Sequence, residues 1–253
     1  MKKYLLILAI SSLSLSALGW GATGHRVTGY IADKHLSKKA RLAMERILGQ
    51  QSLAMASTWM DDVKSDSLYD IYEDWHWVTI EDNETYDQSK KNPKGDLIYA
   101  LERIITELKS KKLSPKEEAE RLKMLIHLVG DMHQPFHVGR ADRGGNDVKV
   151  TWFGGNSNLH RVWDSDMIDG TRLSYTELAE SLYKPNAAEV KSWQSTSVRD
   201  WAKESISYRK QTYDIGDGKL GYQYQYKYFS IVRDRLAQAG VRLAGLLNEI
   251  YGK

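Results

Sequence analysis

The sequence predicts an all-α, mostly helical single domain with one or two short strands. Apolar residues recur at helical spacing in several segments, and capping residues precede these segments. Only residues 77–80 and 148–153 have the composition of strands. The chain has 253 residues, 42% hydrophobic and 27% charged, which is enough to form one sizeable core. We therefore predict one domain over residues 20–253.

The first part of this domain contains two helix signals. Thr23 is expected to cap a helix that carries Val27 and Ile31 on one side. Ser37 is expected to cap a second helix, which ends at Gly49 because glycine readily adopts the conformation that follows a helix.

The middle of the chain carries the clearest helix signals. Asp96 precedes a segment whose apolar residues recur at helical spacing. Ser114 and Glu117 form a capping box, and Pro115 occupies the first helical position, where its missing N–H has no partner to lose. Pro135 is expected to end this helix because proline cannot continue the hydrogen-bond ladder.

The remaining segments are predicted from composition and spacing. The C-terminal third is expected to be helical, with a long helix at about residues 228–251. Loops are expected at residues 81–95 and 139–158, the second of which contains the strand-like residues 148–153.

The first nineteen residues have the pattern of a secretory signal peptide. Lys2 and Lys3 form a basic start, residues 4–15 are largely apolar, and small residues follow at Ala17 and Gly19. Cleavage is expected after Gly19. The alternative is an uncleaved anchor, but the apolar run is shorter than the ~20 residues of a spanning helix and is diluted by serines. The mature protein is therefore expected to be periplasmic or secreted, without stable membrane association.

The charge and the cysteine count exclude several function classes. The full chain has a formal charge of +3, and removal of residues 1–19 takes away two lysines and no acid, which leaves +1. A broad basic surface that binds nucleic acid non-specifically is thus not supported. Cysteine is absent, which excludes disulfides, thiolate metal ligands and a catalytic thiol.

Histidines and aspartates form a pattern that indicates metal binding. His127 and Asp131 are four residues apart, on one face of the capped helix, and His160 and Asp164 repeat this spacing. His137 follows the break at Pro135. Residues 59–62 and 75–77 offer a further carboxylate and imidazole at Asp61 and His76. Zinc binds these donors, so the set predicts a multinuclear zinc hydrolase, whereas one such pair alone is more often a simple hydrogen bond.

Six segments together resemble the S1/P1 nucleases, which are zinc-dependent single-strand nucleases of fungi, plants and bacteria. These segments are W-G-x-x-G-H-R (20–26), W-M-D (59–61), W-H-W-V (75–78), H-L-V-G-D-M-H-Q-P-F-H (127–137), G-G-N-D (144–147) and N-L-H-R-V-W-D (158–164). The resemblance covers residues 20–164 in family order, and the C-terminal third shares only helical character. It implies a phospholipase C/P1 nuclease-like fold.

The resemblance also implies three Zn²⁺ ions with defined ligands. The first ion would be held by Asp61, His76, His127 and Asp131; the second by His137, His160 and Asp164; and the third by His25, by Asp131 as a bridge, and by the backbone amine and carbonyl of Trp20. Because a free amine is required at Trp20, the bond to Gly19 would have to be cut before the third ion binds properly.

Further residues are implied by the same resemblance. Trp77 corresponds to an aromatic residue that stacks on a nucleobase, although a core tryptophan is an equal alternative. Lys64 and Asn146 correspond to residues beside the bound nucleotide, with a solvated lysine and a turn asparagine as alternatives. Asp61 and Asp131, with Lys64 and Asn146, are the expected catalytic residues.

One position departs from the familiar eukaryotic pattern. Thr79 stands where those members often have an aspartate that orients the attacking water, and Glu81 or Asp82 is a guess for its replacement. His133 is expected to be structural because it points away from the face of Asp131, and His35 is expected at the surface.

The implied reaction is hydrolysis of single-stranded DNA and RNA to 5′-phosphorylated products, with 3′-mononucleotides as further substrates. Three zinc ions and three aspartates give a local charge of about +3, which attracts a phosphodiester to a nearly neutral protein. A hydroxide held between the first and third ions would attack phosphorus, and the second ion would stabilise the 3′ oxygen. An unpaired base is the least costly to present, which favours single strands. A monomer is expected.

Two other functions fit less well. Zinc-dependent phospholipases C have a similar trinuclear site, but their last motif ends in glutamate where this chain has Asp164. An exported protein with purely structural zinc is the third reading, although closed structural sites are commonly rich in cysteine.

Overall fold

The computed structural model describes residues 20–253, so the predicted leader at residues 1–19 lies outside the described residues. The described chain is mostly helical, which confirms the predicted fold class. The α-helices are α1 (Ala22–Lys34), α2 (Lys38–Leu48), α3 (Leu53–Ala56), α4 (Trp59–Asp62), α5 (Leu97–Ser110), α6 (Pro115–Met132), α7 (Leu159–Arg161), α8 (Met167–Asp169), α9 (Tyr175–Ser181), α10 (Ala187–Gln194), α11 (Val198–Thr212) and α12 (Tyr222–Tyr251). Two 3₁₀ segments, Val63–Ser65 and Ser67–His76, and a π-helical turn, Val162–Asp166, lie between them.

The strands are short and form two small sheets. They are β1 (Val78–Thr79), β2 (Val138–Gly139), β3 (Lys149–Trp152), β4 (Gly155–Asn158) and β5 (Lys219–Leu220). β1 pairs with β2 in parallel, and β3 lies between antiparallel β4 and parallel β5. Both predicted strand segments contain a strand, whereas the predicted loop at residues 139–158 is in part a β3–β4 hairpin. The glycine and asparagine of β4 gave no strand signal.

Most of the predicted helix boundaries are confirmed. The Ser37 side chain accepts a hydrogen bond from Ala40, and Gly49 ends α2 with a φ of +63°. Asp96 caps α5, and Ser114 forms the predicted capping box at the start of α6. These boundaries are local, because each depends on one side chain and the backbone within three residues of it.

Two boundaries were predicted wrongly. The residue that precedes α1 is Gly21, not Thr23, because the backbone N–H of Gly21 donates to Asp164 and draws the chain against it. A Cβ at Gly21 would lie 2.6 Å from the hydroxyl oxygen of Ser165. α12 begins at Tyr222 rather than near residue 228, and its alternating tyrosines hid the helical period from the sequence.

The core consists of two hydrophobic clusters that meet at α6 and the segment after it. The first includes Val129 and Met132 of α6, together with α5, α2 and the C-terminal half of α12. The second includes Trp20, Phe136 and Trp163, together with the N-terminal half of α12. The polar residues between these clusters are therefore buried from both sides. Within residues 20–253, no helix combines the length and apolar character needed to cross a bilayer.

Candidate metal centre and adjoining cavity

Histidine and aspartate side chains from five segments of the chain meet at the junction of the two hydrophobic clusters. Their donor atoms form three groups, and within each group all atoms lie within 4.8 Å of one another. The groups are His25, His127 and Asp131; Asp61, His76 and His127; and His137, His160 and Asp164. Asp131 connects them, because its carboxylate oxygens lie 3.0 Å from Nδ1 of His76 and 3.7 Å from Nδ1 of His137.

α6 supplies the centre of this arrangement. His127 and Asp131 lie one turn apart on the same face, with 3.2 Å between Nε2 and Oδ2. The helix is buried on every side over residues 124–132, so the carboxylate of Asp131 has no access to water. A buried carboxylate is stable only when it is paired, hydrogen-bonded or bound to a cation.

Three of the histidines have one ring nitrogen fixed by a backbone carbonyl. In each case Nδ1 donates: His127 to Ser57 (2.7 Å), His137 to His76 (2.6 Å) and His160 to Gly144 (2.6 Å). A neutral imidazole that donates from Nδ1 presents a lone pair at Nε2. This is how proteins orient histidine ligands, because the carbonyl fixes both the tautomer and the plane of the ring.

Several of the donor atoms are buried without an aligned hydrogen-bond partner within the described chain. These buried atoms are both ring nitrogens of His25, Oδ1 of Asp131, Nε2 of His137 and Nε2 of His160, and Oδ1 of Asp61 has only the ammonium of Lys64 at hydrogen-bond distance. Some are close to each other, such as Nε2 of His160 and Oδ2 of Asp164 at 2.9 Å, but they are not aligned as donor and acceptor. Lone pairs that converge in this way fit metal ions, one for each donor group, which would satisfy them.

The electrostatics of the cluster favour ionised carboxylates. Burial alone would raise the pKa of Asp61, but His127, His25 and Lys64 outweigh it and lower this pKa to about 2. The pKa of Asp131 is also lowered well below its usual range, against burial, by His127 and His137. Burial lowers the pKa of His76 to about 4, so its imidazole is neutral. Ionised carboxylates and a neutral imidazole are the forms that bind a metal ion. Asp131 outweighs burial at two other histidines and raises the pKa of His127 and, to about 9, that of His137, so a metal ion bound there would displace a proton.

The start of α1 reaches this cluster across a glycine of α6. Trp20 is fully buried, and the ring of His25 stacks on that of His127 with 3.8 Å between centroids. A Cβ at Gly130 would lie 2.9 Å from Nδ1 of His25 and 3.7 Å from Cδ1 of Trp20. A side chain at position 130 would therefore displace the ring of His25, whose Nε2 comes within 3.4 Å of Asp131.

A cavity of about 200 Å³ opens beside the donor group formed by His137, His160 and Asp164. His137 and His160 form part of its wall, together with Trp77, Asn146 and Arg143. Trp77 is half-buried, so part of its ring borders the cavity. The cavity thus places an aromatic side chain and polar side chains next to two of the predicted ligands.

The two predicted nucleotide-contacting residues lie at different places. Nζ of Lys64 is 2.7 Å from Oδ1 of Asp61, which places the ammonium beside a predicted metal ligand. Asn146 lines the cavity, and its side-chain amide donates to the carbonyl of Arg143. Lys64 does not line the cavity, so these two residues approach the cluster from separate directions.

Glu81 and Asp82, the two residues guessed for the water-orienting carboxylate, both have hydrogen-bond partners in the structure. Thr79 lines the cavity. Glu81 instead accepts the N–H of Ala141, and both oxygens of Asp82 are held by Arg140. Neither carboxylate belongs to one of the three donor groups.

Two residues of the site were missed in the sequence. Gln134 is fully buried, donates to Oδ1 of Asp164 and accepts the N–H of Phe136, so it links the turn after α6 to the third donor group. Arg143 lines the cavity and has a φ of +56°. Gln134 lies inside a quoted motif, but only the folded chain shows its partner.

His133 lies outside the three donor groups, as predicted. Its Nδ1 donates to the carbonyl of Val129 at 2.8 Å, and its Nε2 accepts from Arg242 at 3.0 Å. Burial, Arg235 and Arg242 lower its pKa well below the usual value, so the ring is neutral. His35 follows α1 and is partly exposed.

Together, the donor set and the cavity define a class of protein. Buried imidazole and carboxylate donors, without cysteine and next to an open cavity, are typical of metal-dependent hydrolases rather than of closed structural zinc sites.

Comparison with known proteins identifies the family. The model of the family described as S1/P1 Nuclease matches residues 20–252. Endonuclease 3 of Arabidopsis thaliana is 30% identical over 87% of this chain and 85% of its own length. Nuclease S1 of Aspergillus oryzae is 29% identical over 87% and 88%, and nuclease P1 of Penicillium citrinum is 28% identical over 88% and 94%. A solved structure of Clostridium perfringens alpha-toxin has a TM-score of 0.47 and 19% identity, over 93% of this chain and 65% of that chain.

The chain therefore belongs to the S1/P1 nuclease family. It is a nuclease-type phosphodiesterase, a hydrolase that acts on nucleic acid.

Proposed function

We propose that this protein is an exported, zinc-dependent nuclease that hydrolyses single-stranded DNA and RNA to 5′-phosphorylated products and also removes the phosphate of 3′-mononucleotides. The observation that carries the proposal is the set of three connected donor groups beside a cavity lined by Trp77. The catalytic domain spans residues 20–253, acts as a monomer and has no stable membrane association.

The donor groups divide among three Zn²⁺ ions. Asp61, His76, His127 and Asp131 would hold the first; His137, His160 and Asp164 the second; and His25, Asp131 and the main chain of Trp20 the third. The unpartnered Nε2 atoms and carboxylate oxygens support this assignment. Bound zinc supplies a water ligand of lowered pKa and charge that stabilises an oxyanion.

The chain's own side chains orient the substrate. Trp77 offers a ring on which an unpaired base stacks, with about 1–3 kcal/mol for each stacked base. Lys64, beside Asp61, provides a cation for a phosphate oxygen near the ligands. Asn146 orients the nucleotide from the cavity wall. Duplex DNA must unpair before a base reaches Trp77, and this cost underlies the preference for single strands.

A paired substrate assay tests this function. At equal salt, single-stranded DNA and RNA should be hydrolysed faster than duplex DNA, and a zinc chelator should abolish both activities. Trp77→Ala should remove most of the difference in hydrolysis rate between single-stranded and duplex substrates, whereas Trp77→Phe should retain this difference. Equal cleavage of duplex and single strand by the wild type would contradict base stacking. Release of phosphocholine from phosphatidylcholine, without nucleotide release, would instead indicate a phospholipase.

Removal of residues 1–19 would activate the enzyme, because the main chain of Trp20 binds the third ion only when its amine is free. The full burial of Trp20 beside His25 and Gly130 supports this position for the new N-terminus. A form that begins at Trp20 should bind three zinc ions, and a form that retains Gly19 should bind fewer and hydrolyse more slowly. An extended form with three zinc ions and full activity would refute this role of Trp20.

A further inference from the structure

Gln134 lies in the turn that follows α6, and it contacts three of the predicted metal ligands. Its backbone N–H donates to the carbonyl of Asp131 at 3.0 Å, and its own carbonyl accepts the N–H of His137 at 3.0 Å. Its side chain is fully buried and reaches Asp164 in the π-helical turn. One residue therefore connects ligands on both sides of Pro135 with a ligand from a distant segment.

The orientation of the Gln134 amide is fixed by its two partners. The backbone N–H of Phe136 can only donate, so it faces the side-chain oxygen Oε1, at 2.5 Å. The amide nitrogen Nε2 then faces Oδ1 of Asp164 and donates to it. Because the side chain is buried, water does not compete for either contact. Gln134 thus holds the carboxylate of Asp164 in one orientation.

This hydrogen bond distinguishes the two carboxylate oxygens of Asp164. Oδ1 lies 3.5 Å from Nε2 of His137, and Oδ2 lies 2.9 Å from Nε2 of His160, so both oxygens adjoin the donor group. Carboxylates bind metal ions through one oxygen or through both. Gln134 occupies Oδ1, and Oδ2 has the shorter distance to a ligand nitrogen. The contact therefore favours binding through Oδ2 alone.

The number of ligand atoms decides whether this donor group can take part in a reaction. Nitrogens of His137 and His160 and one oxygen of Asp164 give three protein ligands, and catalytic zinc sites keep the fourth position open. A carboxylate that binds through both oxygens would occupy that position. Because His137 and His160 line the cavity, a substrate in the cavity adjoins this group.

We propose that Gln134 is a positioning residue that limits Asp164 to one ligand oxygen and so keeps a coordination position free for the leaving oxygen of the substrate. The inference rests on the proposed function, since the implied reaction places the 3′ oxygen at this donor group. Charge develops on the leaving oxygen in the transition state, so loss of the position lowers kcat and changes KM little. The size of this effect depends on the leaving group.

The first test compares two leaving groups. Gln134→Met keeps a side chain of similar length but cannot donate to Asp164. At saturating zinc, kcat for a thymidine dinucleotide should fall about tenfold or more with little change in KM, as expected when a metal ligand loses its hydrogen-bond partner. The same dinucleotide with sulfur in place of the 3′ oxygen should lose much less, because a thiolate carries negative charge more readily than an alkoxide.

Zinc affinity gives a second readout, which does not depend on activity. In competition with a chelator, Gln134→Met should retain its zinc as well as the wild type or better, because the second oxygen of Asp164 becomes available as a ligand. Gln134→Asn, whose amide is one methylene group shorter, is the second variant should the first not fold. Gln194→Met is the matched control: Nε2 of Gln194 donates to the carbonyl of Val241 at 3.0 Å, outside the donor groups, so kcat and zinc affinity should not change.

Each outcome separates the inference from the proposed function. An equal fall in kcat for both dinucleotides would overturn the inference, because the effect would not lie at the leaving atom. An unchanged kcat for the oxygen dinucleotide would also overturn it. Loss of zinc at a lower chelator concentration would assign Gln134 only to the stability of the ligand set, against the proposal. Absence of hydrolysis by the zinc-loaded wild type would instead refute the nuclease function, and the zinc titration would still decide how Gln134 acts on Asp164.

Discussion

Two buried histidines at the end of α6 differ in how their nitrogens are used. His127 has one nitrogen fixed by a carbonyl and directs the other towards Asp131 and His76. His133, less than two turns further on, has both nitrogens satisfied, by Val129 and by Arg242. The first belongs to a centre with unpartnered donor atoms, and the second belongs to a network that is complete.

The network around His133 closes the C-terminal end of α6. Arg235 donates to the carbonyl of His133, and Ser205 donates to that of Met132. Both Arg235 and Arg242 pair with Glu204, at 2.7 and 2.6 Å. Burial of histidine therefore does not by itself indicate a ligand. The informative difference is that one region satisfies its polar groups internally, whereas the other leaves buried donor atoms without an aligned hydrogen-bond partner.

The largest effect should follow from a change at the metal centre. Asp131→Asn keeps the shape of the side chain but removes the charge that connects the three donor groups. We expect hydrolysis of single-stranded DNA to fall more than about 100-fold. Loss of a residue that only hydrogen-bonds to a metal ligand typically costs about 10–100-fold, and loss of a ligand itself should cost more. Zinc content should fall, as measured by atomic absorption, with far-UV circular dichroism unchanged. Full zinc content in this variant would contradict the assignment of Asp131.

The next effect concerns the network. Glu204→Gln leaves Arg235 and Arg242 without a counter-ion, and the free energy of unfolding should fall by about 2 kcal/mol. This is less than the 3–5 kcal/mol typical of a buried pair, because the carboxylate is 34% exposed. Denaturant unfolding measures the change. Zinc content should remain that of the wild type, and its loss would show that the two regions are not independent.

A smaller effect is expected at Gly130, the residue of α6 against which the start of α1 packs. Gly130→Ala places a methyl group 2.9 Å from Nδ1 of His25, so His25 must move. Zinc affinity, measured in competition with a chelator, should fall about tenfold. This is comparable to the loss of a residue that hydrogen-bonds to a metal ligand. Unfolding of the zinc-free protein should change by only about 1 kcal/mol, because alanine is the better helix former. Unchanged zinc affinity would indicate that His25 is not a ligand.

The smallest effect is a pH dependence of the network. Burial raises the pKa of Glu204, but Arg242 and Arg235 outweigh it, and the net pKa is lower than usual. Because the folded pKa is the lower one, the stabilisation is present above the ordinary glutamate pKa and is lost as pH falls through the folded value. As pH is lowered from neutral through the folded pKa of Glu204, the difference in the free energy of unfolding between wild type and Glu204→Gln should become smaller. A constant difference down to acid pH would contradict this role.

Local features of this protein were determined by the sequence. The spacing of His127 and Asp131 places them on one helical face in any α-helix, since the period is 3.6 residues. The caps at Ser37, Asp96 and Ser114 likewise depend on adjacent backbone alone. The motifs further indicated the family, which the family model confirms.

Only the tertiary structure decided how these local pieces meet. No spacing shows that Ser57, His76 and Gly144 supply the carbonyls that fix three histidine tautomers, or that Gln134 bonds to Asp164. The sequence also did not show that Gly21 caps α1 or that residues 139–158 contain a hairpin. These features depend on contacts between segments far apart in the chain, which form only when the two hydrophobic clusters pack around α6.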